Sequence, residues 1–202
     1  MDAHTDALDV DTRAVVDDLD RAVAASGLTQ AAFARALGTS PSRFSTYRSG
    51  KVAPAAAFVH RALRIGTALG DARGLGWMSS PTTARAVRSA PSDPWRWRML
   101  LQGRDHLRAV LADEALGRLR SAWEAAPGPT GDDGMDALLA ALARHEFEQA
   151  GLTAPAWTIR AKLDPPWQPE HPFLDAERVR ERTPAFLAEL GIHVPARDLV
   201  TA

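Results

Sequence analysis

Residues 28–51 read LTQAAFARALGTSPSRFSTYRSGK. Two short helical patterns stand back to back here, separated only by Gly38, Thr39 and Ser40. Isolated helices shorter than about 12–15 residues are marginal in water, so neither segment stands alone. Thr29 is placed to cap the first, from Gln30 to Leu37, with Phe33, Ala34 and Leu37 facing inward. Gly38 supplies its C-terminal turn. Ser40 is placed to cap the second, with Pro41 at its first position. The second segment, SPSRFSTYR, divides cleanly: Phe44 and Tyr47 inward, and Ser42, Arg43, Ser45, Thr46 and Arg48 outward. Gly50 closes it.

Two short helices joined by a tight glycine-containing turn are a helix-turn-helix. Such a motif lays its first helix across a DNA backbone and its second into the major groove. The second helix then needs small, polar and basic residues outside and apolar ones behind, which is the division seen here.

The flanking sequence completes a bundle. Residues 12–25 (TRAVVDDLDRAVAA) place Val15, Val16, Leu19 and Val23 on one face, with Thr12 as cap and Gly27 as terminator. Pro54 opens a further helix to about Leu69, ended by Gly70, with Phe58, Ala62, Leu63, Ile65 and Leu69 as core candidates.

The net charge of -1 conceals an asymmetry. Residues 1–20 hold seven Asp against one Arg. Residues 21–70 hold no acidic residue and seven basic ones: Arg21, Arg35, Arg43, Arg48, Lys51, Arg61 and Arg64. Residues 71–112 carry seven Arg against three Asp, and residues 113–202 nine basic against fifteen acidic residues. An acid-free basic block of this length is the sequence signature of a polyanion-binding surface.

At these residues the chain resembles the XRE family, the lambda-repressor-like DNA-binding domains, over roughly residues 12–70. The resemblance rests on Thr29-Gln30, Phe33-Ala34, Leu37-Gly38, Ser40, Phe44-Ser45, Tyr47 and Ser49-Gly50-Lys51. It implies double-stranded DNA as partner and assigns DNA contact to Gln30, Ser40, Ser42, Arg43, Ser45, Thr46, Arg48 and Lys51. Gln30 stands where members contact phosphate and brace the recognition helix. Ser42 and Thr46 stand at base-reading positions, and Arg43 reaches a guanine edge or a phosphate. Lys51 and the backbone around it face phosphate. Pro41 replaces a frequent base reader, and Arg48 replaces a frequent acidic residue, adding charge beside the groove. Homodimerisation, a bacterial cytoplasmic and nucleoid-associated location, and repression of the chain's own operon belong to the same expectation.

Residues 70–94 are rich in Gly, Ser and Pro and read as a linker over 71–94. Beyond it, 95–112, 113–126 and 135–150 read as helices, with a breaker at 126–134. The remainder is proline-rich, with short helical candidates at 175–183 and 184–190 and strand candidates at 157–161 and 192–194. Trp97 and Trp123 suit a core, whereas Trp157 and Trp167 lie in extended Pro-rich segments and suit either docking onto a partner or another chain, or the core. The last thirty residues loosely resemble the ends of helix-turn-helix proteins from bacterial toxin–antitoxin operons. That resemblance implies an alternative role: an antitoxin that neutralises a co-encoded toxin through residues 95–202.

The expected fold is therefore mainly α: an acidic segment 1–11, a helix-turn-helix bundle 12–70, the linker, and a helical C-terminal domain 95–202 with an irregular Pro-rich tail. The chain has no cysteine, which excludes disulfides, thiolate metal sites and a cysteine nucleophile and fits the cytosol. No apolar run reaches about 18 residues, so no membrane span is expected, and the acidic start does not read as a signal peptide. His145-Glu146-Phe147-Glu148 is not HExxH and reads as a solvated helix face; His171 lies in a Pro-rich loop. No glycine-rich phosphate loop or GxSxG is present. No catalytic residue, metal site or cofactor is expected.

Overall fold

The computed structural model describes residues 8–200, and seven residues of the acidic N-terminal segment lie outside this range. The chain is mainly α. Helix α1 spans Val10–Ser26, α2 Gln30–Ala36, α3 Pro41–Arg48 and α4 Ala56–Gly74. There follow α5 (Ser80–Ser89), α6 (Asp93–Ala112), a 3-10 helix (Glu114–Trp123) and α7 (Asp133–Gln149). The tail carries α8 (Ala176–Glu181), α9 (Ala185–Ala188) and short 3-10 turns at Ala156–Thr158 and Ala196–Leu199. Instead of strands at 157–161 and 192–194, the described residues show a single isolated bridge between Trp167 and Ile192.

Local signals explain most boundaries. Asp9, rather than Thr12, caps α1: its carboxylate accepts the Thr12 N–H at 2.9 Å and the Thr12 hydroxyl at 2.6 Å. These bonds favour the charged form and hold its carboxyl below its ordinary pKa. Gly27 ends α1 with φ 66°, a conformation costly for any residue with a Cβ. Thr29 and Ser40 cap α2 and α3 as their positions predict, accepting from Ala32 and Arg43.

The packing of α1 on α4 is set by small residues. A Cβ on Gly66 would lie 2.5 Å from the Ala22 carbonyl oxygen, and one on Gly70 2.7 Å from that of Ala25. Gly70 does not end α4: the helix runs four residues past it, and the absence of a side chain there lets the two backbones touch.

Two hydrophobic cores share a boundary. The first joins α1–α4 through Leu19, Phe33, Phe44, Ile65 and Leu69, and includes Val110, Leu119 and Ala122 from beyond the bundle. The second gathers α5, α6, α7 and the tail around Leu100, Leu107, Trp123, Leu138 and Leu187. The 3-10 helix sits between them, giving Leu119 to one and Trp123 to the other.

The linker expected over 71–94 is corrected accordingly. Residues 71–74 complete α4, and Ser80–Ser89 form a helix with Thr83, Ala84 and Val87 buried. Its Gly, Ser and Pro residues delimit structure. Gly76 turns the chain at φ 73°, Ser79 and Thr82 form a capping box, and Pro81 lies in the first turn. The Ser80 hydroxyl donates to the Ala125 carbonyl at 2.5 Å, and the Trp123 indole N–H donates to the Met78 carbonyl at 3.0 Å.

Trp157 and Trp167, the candidates for partner binding, are half-buried and pack against the chain's own second core. Trp157 donates its indole N–H to the Trp123 carbonyl at 3.0 Å. Trp167 packs on Gly134, where a Cβ would overlap its ring, and its backbone bonds to Gly191 and His193. The helix face at 145–148 is not solvated throughout: His145 stacks on Phe186 at 4.2 Å, while buried Glu146 takes a bidentate pair from Arg108 at 3.0 and 2.6 Å.

One histidine gives this fold a pH dependence. His106 Nδ1 accepts the Met78 N–H at 2.9 Å, and burial, opposed by Asp105, pushes its pKa below the ordinary 6.5. Below about that pH the unfolded chain takes up a proton that the folded chain resists, so this contribution to stability is lost as pH falls. Urea unfolding from about pH 8 to about pH 5 should show a flatter decline for His106→Asn, which keeps an acceptor and cannot titrate. An identical slope would exclude His106 as a source.

Candidate nucleic-acid interface

Helix α3 is eight residues long and is held from behind. Phe44 is fully buried, edge-on to Phe33 at 5.9 Å between centroids and tilted on Phe58 at 6.3 Å. Tyr47 packs on Phe58 at 5.2 Å. These contacts leave Ser42, Arg43 and Ser45 exposed on the front and Thr46 half-buried at its edge. The predicted inward and outward sides of the helix are therefore the observed ones, apart from Arg48.

The polar side chains differ in their freedom. Ser40 Oγ caps the helix and lies 3.1 Å from Ser42 Oγ. Thr46 donates its hydroxyl to the Arg43 carbonyl at 2.7 Å, which leaves its methyl and its oxygen lone pairs for a partner. Arg43 donates Nε–H to the Tyr47 hydroxyl at 2.6 Å, and its guanidinium carbon lies 5.8 Å from that ring's centroid. One edge of the guanidinium is thus anchored while the other donors remain available. An arginine so positioned loses less rotamer entropy on binding.

Arg48 departs from its expected place. It donates Nε–H to Asp20 and another N–H to the Gln30 side-chain oxygen. Its charge is balanced within the protein, and the expected gain in positive charge beside the groove is largely cancelled. Gln30, in accepting from Arg48, ties α2 to α3 and keeps its amide N–H groups for a further partner. The Lys51 side chain is exposed, but its N–H and that of Val52 both go to the Thr46 carbonyl, so the backbone there is already satisfied.

The acid-free block is also less uniformly outward than its composition suggests. Arg61 donates to the Leu37 carbonyl at 2.9 Å, and Arg64 binds Ser121 and Glu124. Arg21 pairs with Asp18. Arg35, Arg43 and Lys51 remain exposed and outside any salt bridge among the described residues. Arg35 was not legible as a site candidate, since a lone arginine in a seven-residue helix gives no signal beyond its charge. Among the described residues, no cluster of His, Asp and Glu could hold a metal ion, and no helix is long and apolar enough to cross a membrane.

Residues 15–74 match a protein-family model described as a helix-turn-helix domain. No curated protein and no solved structure matches the chain. The matched residues run from within α1 to the end of α4, the same four helices that share the first core. Bundle, exposed second helix of the motif and family match together mark residues 15–74 as a helix-turn-helix domain and support a DNA-binding regulator.

Proposed function

We propose that this chain is a sequence-specific transcriptional repressor of the lambda-repressor-like (XRE) type, acting on its own operon. It is not an enzyme and uses no cofactor. The observation that carries this reading is the division of α3: Phe44 and Tyr47 buried behind, Ser42, Arg43 and Ser45 exposed in front. In this reading Ser42, Arg43, Ser45 and Thr46 meet base edges, Ser40 lies at the helix N-terminus over a phosphate, and Gln30 and Lys51 contact phosphate on either side. Arg48 acts indirectly, by fixing α3 against α1 and α2. The protein works in the bacterial cytoplasm at the nucleoid. It binds as a homodimer, because one such domain buries only about 600–1,000 Å² of its surface on DNA. Half-sites about 34 Å apart then supply the remaining affinity.

Two substitutions separate reading from anchoring. Arg43→Ala should cost about 1–3 kcal/mol of preference at one base position in competition against altered sites. Lys51→Ala should weaken all duplexes alike and lower the salt slope by about one. If both act alike on every sequence, α3 does not read bases through Arg43.

A second reading is favoured by two side chains in the tail. Ile159 and Phe173 are 69% and 83% exposed and offer apolar side chains to a partner. They suit contact with a co-encoded toxin, with the chain as antitoxin. Co-expression of the neighbouring reading frame with the full chain should relieve growth arrest, and Phe173→Asp should abolish that relief. Relief unaffected by Phe173→Asp and Ile159→Asp would exclude this surface.

A further inference from the structure

A cleft of about 640 Å³ lies directly behind the turn between α2 and α3. Leu37 and Gly38 form one wall, Ile65 and Arg61 of α4 another, and Arg120 and Trp157 close it from the C-terminal half. The volume falls in the range of small-molecule sites, about 300–1,000 Å³. Its walls are predominantly apolar, and its charged groups are unequal. Glu124 also lines it, but that carboxylate is held by Arg64 and lies 3.3 Å from the Ser121 hydroxyl. Arg120 is exposed and makes no hydrogen bond or salt bridge among the described residues. Arg61 spends one N–H on Leu37 and has others to give. The cleft therefore offers two guanidinium groups beside an apolar wall with no uncommitted carboxylate.

The position of the cleft ties it to the recognition helix. The last carbonyls of α2 are held by groups from outside the motif: Ala36 accepts the Ala126 N–H at 2.8 Å, and Leu37 accepts from Arg61 at 2.9 Å. A carboxylate that takes the free N–H groups of Arg61 and draws its guanidinium toward Arg120 would pull it off the Leu37 carbonyl at the point where the chain turns into α3.

We infer that this cleft binds a small organic carboxylate with an apolar body, held by Arg61 and Arg120, and that its binding lowers the affinity for DNA. The inference rests on the DNA-binding reading given above and assigns its regulation. Coupling of this kind is reciprocal, so DNA must weaken the carboxylate by the same factor.

The test uses the full chain with phenylacetate, indole acetate and octanoate, and with the amines of the same apolar bodies as controls. Calorimetry should show saturable one-site binding of at least one of the three anions and none of the matched amine. Arg120→Ala, at an exposed side chain that bonds to nothing else described, should weaken that binding about tenfold and leave the fold intact by circular dichroism. With the anion saturating, affinity for the upstream DNA should fall about fivefold or more, and Arg120→Ala should blunt the fall. Failure of all three anions to saturate would overturn the inference. So would binding indifferent to Arg120→Ala, or DNA affinity unchanged or raised by a bound anion. If Arg120→Ala weakens DNA binding without any anion and lowers its salt slope, the group is a phosphate contact and the inference fails. A chain that binds the anion but no DNA under any condition would support the site and sink the regulatory reading, so the two failures are distinguishable.

Discussion

Phe44→Ala lowers the free energy of unfolding by about 3–5 kcal/mol and removes specific DNA binding at temperatures where the wild type still binds. The ring is 0% exposed and touches Phe33 and Phe58, one aromatic from each flanking helix. Truncation removes the burial of a full aromatic side chain and leaves a void that eight residues of helix cannot close. Because α3 makes its only large apolar contacts through Phe44 and Tyr47, loss of the ring frees the helix before it unfolds the rest of the chain. Denaturant melts followed by fluorescence give the stability change, and DNA titration gives the functional one. Phe44→Leu should recover most of both, since it refills much of the volume. A Phe44→Ala protein that stays within about 1 kcal/mol of wild type would mean that α3 is not anchored from behind.

Gly66→Ala comes next in size. Alanine normally strengthens a helix interior, so propensity alone forecasts a gain of about 0.5–1 kcal/mol. Here the added methyl would lie 2.5 Å from the Ala22 carbonyl oxygen and 3.0 Å from the Ala22 carbonyl carbon and Cα, all backbone atoms that cannot rotate away. The helices must separate, and the expected loss is on the order of 3 kcal/mol. Gly74→Ala is the internal control. It lies at the last position of the same helix with nothing within 4 Å of the new methyl, so it should be neutral or stabilising by about 0.4–1 kcal/mol. Equal effects at the two sites would contradict the close approach of α1 and α4.

The N-terminal bundle was largely legible because its signals are local. Thr29, Gly38, Ser40 and Pro41 each act on residues one to four positions away, and each does what its spacing foretells. The two sides of α3 follow from the same short-range periodicity. The errors arise where the partner is distant in sequence. Nothing near Arg48 announces Asp20, 28 residues earlier, so its charge appeared to be free. Gly70 looks like a terminator until Ala25 is seen against it. Ser79, Ser80 and Pro81 belong to a linker by composition, and to a capped, buried helix once Ala125 and Trp123 are in place. Trp157 and Trp167 sit in proline-rich backbone, and their packing depends on Trp123 and Gly134, which no periodic pattern reveals. The cleft between the two cores is likewise a product of tertiary packing. Only the charge of its arginines was visible beforehand.

The central claim is that the outer side of α3 enters a major groove. Guanine N7 methylation tests it directly, because that atom faces the major groove alone. Bound DNA selected by the wild-type chain should be depleted of methylated guanines at two clusters about one helical turn apart, and Arg43→Ala should lose the depletion at one position in each cluster. Binding that tolerates methylation at every guanine of the site, or that responds only to adenine modification in the minor groove, would contradict the account.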